Sequence, residues 1–188
     1  MGLTATFSLP TDRSALAARW QALEARSDAS FFLRWTWVGA WLDSYGVRPE
    51  LLAVTDESGQ DVALALVGHA MRPRLLGPVA TLSLNQSGDP AVDRPYVEYN
   101  GLLAAHGQEA AAVAAALDAV ARRRDWRVLR LSGIAPDSPL LGLPARRKLR
   151  VDAAPVYQVD LDAAVWLARA CLPGMLAKGW GRIVNFTG

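Results

Sequence analysis

The spacing of the apolar residues changes abruptly at Gly46. Before it, aromatic residues recur at every fourth position, which predicts a helix over residues 35–45 that ends where the glycine adopts a left-handed conformation. These aromatic residues are Trp37, Trp41 and Tyr45. After Gly46, short apolar segments at 51–55 and 62–68 flank a polar turn, which predicts a β-hairpin. A chain that changes its spacing in this way must pack helices against a sheet.

Helical and extended segments alternate through the rest of the chain. Leu16, Trp20 and Leu23 share one face of a helix predicted over 11–27, with Thr11 as its cap. An alanine-rich helix is predicted over 108–124, and its small side chains favour close packing on a sheet. Further strands are predicted at 74–77, 95–100, 126–132 and 156–159. The order predicts an α+β (α/β-like) fold with helices packed on a mixed, mostly antiparallel sheet.

Composition excludes several classes of protein. Of the 188 residues, 52% are hydrophobic and 20% charged, which excludes a disordered chain, and no apolar run reaches the roughly 20 residues of a membrane-spanning helix. The net charge of +2 predicts neither a nucleic-acid partner nor a membrane partner. Cys171 is the single cysteine, so we predict no disulfide within the chain, no metal centre and a cytoplasmic location.

Charge is distributed unevenly along the chain, although the net charge is small. Residues 122–150 contain nine basic and two acidic side chains, a net +7, which leaves −5 for the remainder. The favoured interpretation is a solvated helix end whose arginines complement the helix dipole. The alternative is a patch that binds an anionic ligand or a partner protein, with an affinity that falls as salt is added.

A series of short landmarks between residues 20 and 161 has a familiar order. The landmarks are Trp20-Gln21-Ala22-Leu23, Phe31-Phe32 ahead of Trp37 and Trp41, Glu98-Tyr99-Asn100-Gly101 after Asp93, residues 126–133, and residues 155–161. In this order they resemble the GNAT-like acetyltransferase family associated with bacterial cellulose-biosynthesis operons, whose fold is similar to that of FemAB-type transferases. The resemblance implies paired GNAT-like lobes, with acyl-CoA handled mainly by the second. We expect residues 1–161 to form the first lobe only.

The resemblance also suggests where a co-substrate would bind. The family pattern Arg-x-x-Gly-x-Gly/Ala is matched by Arg130, Gly133 and Ala135, which are the predicted binding residues for acetyl-CoA or another acyl-CoA. In this pattern backbone N–H groups hold the pyrophosphate at a helix N-terminus. Pro136 removes a donor at the next position, so an ordinary glycine at the end of a strand is the competing interpretation.

Acyl transfer to an amine also requires a base for the ammonium proton. Glu98 is the predicted catalytic residue because it follows a long polar loop at 82–94, and Tyr96 and Asn100 beside it are predicted to orient a small-molecule substrate. The competing interpretation is a solvated glutamate followed by an ordinary Asn-Gly turn.

The last 25 residues of the chain have a sequence pattern unlike that of the preceding part. Residues 164–188 are similar to short-chain dehydrogenases, in which a helix containing Leu-Pro-x-Met precedes a Gly-Arg-Ile-Val-Asn strand. The glycine-rich dinucleotide turn and the Tyr-x-x-x-Lys pair of that family are missing from the sequence. We therefore predict a dehydrogenase-like helix–strand tail at 162–188, with self-association through its exposed surface.

Together these features predict an acetyl-CoA-dependent, GNAT-like N-acyltransferase lobe that is incomplete and weakly active or inactive by itself. Two alternatives stay open: a noncatalytic binding or interaction module, and a truncated dehydrogenase fusion without activity.

Overall fold

The computed structural model describes residues 2–75, 77–93 and 97–141. The chain divides into two units, Met1–Pro144 and Ala145–Gly188, and the described residues fall within the first. Tyr96, the strand predicted at 156–159 and the tail predicted at 162–188 lie outside the described residues, so the boundary placed at residue 161 stays a prediction.

Three helices and six strands make up the described residues. They are β1 (Thr4–Ser8), α1 (Arg13–Glu24), α2 (Trp35–Tyr45), β2 (Glu50–Thr55), β3 (Asp61–Arg72), β4 (Val79–Leu84), β5 (Leu103–Ala104), α3 (Glu109–Arg122) and β6 (Val128–Arg130). Short 3-10 turns add Phe31–Leu33 and Pro139–Leu141. None of the helices in this part of the chain has the length and apolar character needed to cross a membrane.

The strands form one mixed sheet in the order β1-β2-β3-β4-β6, with β5 also paired to β3. All pairs are antiparallel except β4 with β6, in which Thr81, Leu82 and Ser83 lie beside Val128, Leu129 and Arg130. The prediction of helices on a mixed, mostly antiparallel sheet in an α+β fold is therefore confirmed.

The helices follow the predicted apolar spacing closely. Helix α2 has the predicted bounds, and Gly46 ends it with a φ of 61°. Helix α1 is shorter than predicted, because the carboxylate of Asp12 accepts hydrogen bonds from Ser14 N and Ala15 N and fixes the start there. Thr11 is therefore not the cap.

The predicted strands are right where the apolar alternation is clear and wrong elsewhere. The hairpin of β2 and β3 is confirmed, with β3 extending to Arg72. The strand predicted at 74–77 is wrong, because β4 begins only after Pro78. Residues 97–100 form no strand, and Asn100 makes a single bridge to Ile134. Strands β1 and β5 were not predicted.

Each face of the sheet has its own apolar core. Helix α3 covers one face through Ala112, Ala116 and Val120, whose small side chains allow the close approach predicted for it. Helices α1 and α2 cover the other face, where Trp20 is fully buried and its indole N–H donates to Leu33 O at 2.8 Å. The helices on this second face leave part of the sheet to be covered by a loop.

Candidate functional site

The carboxyl ends of the parallel strands β4 and β6 are joined by two buried asparagines. Asn85 follows β4 with a φ of 49°, and Asn100 comes from the segment 97–101. Their exposed fractions are 6% and 3%. Asn85 Nδ2 donates to Asn100 Oδ1 at 2.7 Å, so the two side chains form one buried amide pair.

The two side-chain amides form hydrogen bonds with backbone groups at the ends of the neighbouring strands. Asn100 Nδ2 donates to Leu84 O at 3.0 Å and to Ser132 O at 2.9 Å, which places its amide between the two parallel strands. Asn85 Oδ1 accepts from Leu66 N at 2.8 Å, and Asn85 Nδ2 also donates to Gly101 O. Buried amides with all these partners fix the local geometry strongly.

Gly133 lies against the same segment. Its φ is 68°, and a Cβ built on it would lie 1.8 Å from Val97 O and 3.5 Å from Glu98 Cα. The Gly133 carbonyl accepts a hydrogen bond from Asn100 N at 2.8 Å. Glycine is therefore required here by both conformation and space.

Glu98 and Tyr99 lie at the surface of this junction. Glu98 is partly buried, and no hydrogen bond or ion pair joins its carboxylate to another of the described residues. Tyr99 has a φ of 49° and is 50% exposed, and its carbonyl accepts from Ser30 Oγ at 3.2 Å. A left-handed tyrosine is uncommon, and such strain is held only where the surrounding structure fixes it.

The predicted site residues thus come together only in part. Glu98, Asn100 and Gly133 meet at one junction, whereas Arg130 lies on β6 beside Ser83. Ala135 accepts a hydrogen bond from Ser138 N in the turn that leads to Pro139–Leu141, a turn too short to act as an anion-binding helix. Tyr96 lies outside the described residues.

The long polar loop predicted at 82–94 begins at residue 85, because residues 82–84 belong to β4. Asp93 organises it: its carboxylate accepts from Ser87 N, Ser87 Oγ and Gly88 N at 2.7–2.8 Å. The loop folds over the second half of β3, where a Cβ on Gly68 would lie 2.2 Å from Gln86 O. Gly68 ends the predicted strand 62–68 but lies inside the observed strand β3, where a glycine often marks a close backbone approach.

A groove of about 340 Å³ lies elsewhere, between the end of α1 and the start of α2. Its lining is polar and includes Glu24, whose carboxylate accepts from Trp35 N at 2.8 Å and so caps α2. The groove is on the helical side of this unit, not beside the loop 85–93.

Several ionisable groups outside the junction form ion pairs. Arg123 bonds to Glu50 at 2.6 Å and to Asp125 at 2.5 Å, and its hydrogen bond lowers the pKa of Asp125 to about 2. His69 lies 3.8 Å from Asp125, and His106 contacts Asp28. Within 2–75, 77–93 and 97–141, no group of three potential metal ligands occurs. Arg122 and Arg124 are exposed, but Arg123 is not the solvated residue expected at this helix end, because its side chain is only 16% exposed and bonds to two carboxylates.

Comparison of the chain with models of protein families, with curated proteins and with solved structures gives no significant match.

Proposed function

We propose that the first unit is a GNAT-like N-acyltransferase lobe that uses acetyl-CoA and is incomplete, with weak or no turnover by itself. The observation that carries the proposal is the meeting of Glu98 and Gly133 at the end of the parallel strand pair. A residue suited to act as a base and the predicted diphosphate turn are adjacent there, as the resemblance expects.

The same junction explains why activity would be weak. Val97 O lies directly against the Cα of Gly133, 1.8 Å from where a Cβ would be, so a diphosphate would have little room on that side of the turn. Pro136 lacks an N–H, and within the described residues, which end at 141, only the 3-10 turn Pro139–Leu141 follows it. Arg130, Gly133 and Ala135 would therefore hold acyl-CoA less firmly than a helix N-terminus does.

Glu98 would serve as the general base. It would take a proton from the ammonium group of the acceptor, after which the neutral amine attacks the thioester carbonyl. The C–S bond then breaks as the C–N amide bond is kept, and the departing sulfur takes the remaining extra proton from the nitrogen and leaves as the thiol. A carboxylate with no competing partner among the described residues is available for this step. The acceptor would be a small molecule, and we place the reaction in the cytoplasm.

The test is calorimetric titration of the full chain with acetyl-CoA, followed by measurement of thiol release with amine acceptors. We expect weak binding and slow turnover, and we expect Glu98→Gln to remove turnover while binding is kept. Glu57→Gln, an exposed glutamate in the β2–β3 turn, is the control and should change neither. Absence of acetyl-CoA binding would reject the proposal.

A noncatalytic interaction module is the second candidate. It is favoured by the exposed aromatic rings of Phe31 and Tyr99, which are 56% and 50% exposed in segments joined by the Ser30–Tyr99 hydrogen bond. Salt-sensitive association without affinity for acetyl-CoA would favour this function and would point to the basic stretch instead. The dehydrogenase-fusion alternative depends on residues 164–188, which lie outside the described residues, and binding of NAD would be its test.

A further inference from the structure

The second half of β3 has an edge without a neighbouring strand. Strand β2 pairs with β3 only as far as Glu50 opposite Val67, whereas β3 continues to Arg72. Strand β4 pairs with the opposite edge of this half, from Val67 to Arg72. Beyond Val67, the edge of β3 that continues the line of β2 is therefore unpaired within the part of the chain that the structure describes. We call this stretch, residues 68–72, the open edge.

The hydrogen-bond pattern identifies the backbone groups that face the open edge. Successive residues of an antiparallel strand direct their N–H and C=O groups to opposite sides. Leu66 directs its groups to the β4 side, because its carbonyl accepts from Asn85 N at 2.7 Å and its N–H donates to Asn85 Oδ1 at 2.8 Å. His69 and Met71 lie an odd number of residues further along β3. Their N–H and C=O groups therefore face the open edge.

A hydrogen bond on the other side of β4 supports this direction. Ala80 lies opposite Met71, and its carbonyl accepts from Arg127 N at 2.9 Å on the β6 side of β4. Ala80 and Met71 therefore do not exchange hydrogen bonds. No described residue bonds to the backbone groups of His69 and Met71 at the open edge. Met71 is 61% exposed and the His69 side chain 37%, so a ligand can reach this edge.

Uncompensated positive charge lies at both ends of the open edge. Arg48, two residues before β2, and Arg74, two residues after β3, are exposed, and neither forms an ion pair with a described residue. The carboxylates nearest this edge, Glu50 and Asp125, are already bonded to an arginine at the end of α3. Complementary charge on a ligand is therefore negative.

We propose that the open edge binds a short, acidic, extended segment of a partner protein, which adds to the sheet as a strand in line with β2. Its backbone bonds to His69 and Met71, an apolar side chain packs on Met71, and its acidic side chains face Arg48 and Arg74. Pro73 lacks an N–H directly after β3, which limits the pairing to a few residues.

A second copy of this chain fits the open edge less well. Pairing two open edges would bring the arginines of one copy close to those of the other, and like charges on paired strands are destabilising. The proposed interaction goes beyond acyl transfer and does not involve acetyl-CoA. It can therefore hold or fail independently of the proposed function.

The test is a titration of the ¹⁵N-labelled full chain with the peptide acetyl-Glu-Val-Thr-Val-Glu-amide. Its valines lie at alternate positions, as His69 and Met71 do. We expect saturable shifts at the backbone amides of these two residues, with a dissociation constant of about 1 mM for so short a ligand. N-methylation of both valines removes the donors that pair with β3 and should weaken binding about tenfold or more. Replacing both glutamates by lysine should also weaken it.

Variants separate the charges of the open edge from general charge effects. Arg48→Gln and Arg74→Gln should each weaken binding about threefold, and the double variant about tenfold, since both side chains are exposed. Arg34→Gln removes an exposed arginine on the helical side of the unit and is the matched control, which should bind normally.

Several outcomes would overturn the proposal. They are the absence of saturable shifts at His69 and Met71, equally tight binding by the N-methylated or lysine-containing peptide, and equal losses in Arg48→Gln and Arg34→Gln. Shifts at the same amides that appear without peptide, as the concentration of the chain is raised, would assign the open edge to a second copy and would also overturn it.

Discussion

The long strand β3 is covered in two different ways along its length. On the face that carries α1 and α2, its first half packs Leu64 and Leu66 against Trp20 and Leu23, all buried and apolar. Its second half is covered by the loop 85–93, where the fully buried Ser83 and the almost fully buried Gln86 take the place of apolar side chains. Burial is deep along the first half and less complete along the second, where Ala70 and Arg72 are only partly buried, so the first half gains most of the hydrophobic stabilisation. The difference indicates that the helical end supplies stability and the loop-covered end supplies a specific polar geometry.

The largest effect is expected at the helical end. Trp20→Ala removes a fully buried indole and its hydrogen bond to Leu33 O, and should lower the free energy of unfolding by roughly 4 kcal/mol. Urea denaturation measures this change. Tyr45→Ala, at a position 42% exposed, is the comparison and should cost far less. Equal losses in the two variants would show that the helical layer is not the stabilising one.

At the polar end, Asn100→Ala is expected to be nearly as damaging without removing an apolar core residue. It leaves Leu84 O, Ser132 O and the Asn85 amide without their partner, which should cost about 3 kcal/mol. Urea denaturation again provides the measurement, with the exposed Ser58→Ala as control. If Asn100→Ala lowers the free energy of unfolding by less than Ser58→Ala does, water replaces the hydrogen bonds of the missing amide.

A smaller and more local effect is expected at Gly68. Gly68→Ala would place a Cβ against Gln86 O and Ser87, so the loop 85–93 must lift, at a cost of about 2 kcal/mol. Amide hydrogen exchange should rise in the loop while α1 and α2 keep their protection. Gly101→Ala enters open space and should leave exchange unchanged. Faster exchange across the helices would contradict the division of β3 into two regions.

The smallest effect is expected from the surface ion pairs. The hydrogen bond from Arg123 lowers the pKa of Asp125 from 3.8 to about 2, so its stabilisation is complete above pH 4 and disappears as the pH falls toward 2. Because the Asp125 side chain is 46% exposed, solvent screening limits this contribution to about 0.5 kcal/mol. Asp125→Asn should therefore be slightly less stable than the unchanged chain at pH 6 and equally stable at pH 2. A difference that persists at pH 2 would assign the effect to packing.

The sequence predicts the helical end of the molecule well. Apolar spacing is enough to place α2 and the β2–β3 hairpin, because each element buries a regular stripe of its own side chains. Strand β1 has a weaker signal, since its polar positions are exposed and its apolar positions only partly buried at the edge of the sheet. Short and edge strands are fixed by their neighbours more than by their own residues.

The candidate site is predicted less completely for a different reason. Glu98, Asn100 and Gly133 are identified by local sequence pattern. The structural role of Asn100, however, depends on its hydrogen bonds to Leu84 O and Ser132 O, and both residues are distant from it in sequence. An Asn-Gly pair has the composition of an exposed turn, and only the folded chain shows its amide to be buried. The buried polar atoms of Arg72 and Gln86 that have no partner among the described residues likewise have no signature in the sequence.

The position of Arg123 has a practical consequence for the N-terminal edge of the sheet. Its guanidinium lies 4.5 Å from the ring centroid of Phe7 in β1 and bonds to Glu50 in β2, so a residue at the end of α3 fastens the first strand in place. A recombinant version beginning after Ser8 would lose the strand that shields β2. The backbone N–H and C=O groups of β2 that pair with β1 would then be unpaired. They could pair with strands of other molecules, and we expect the protein to aggregate during purification.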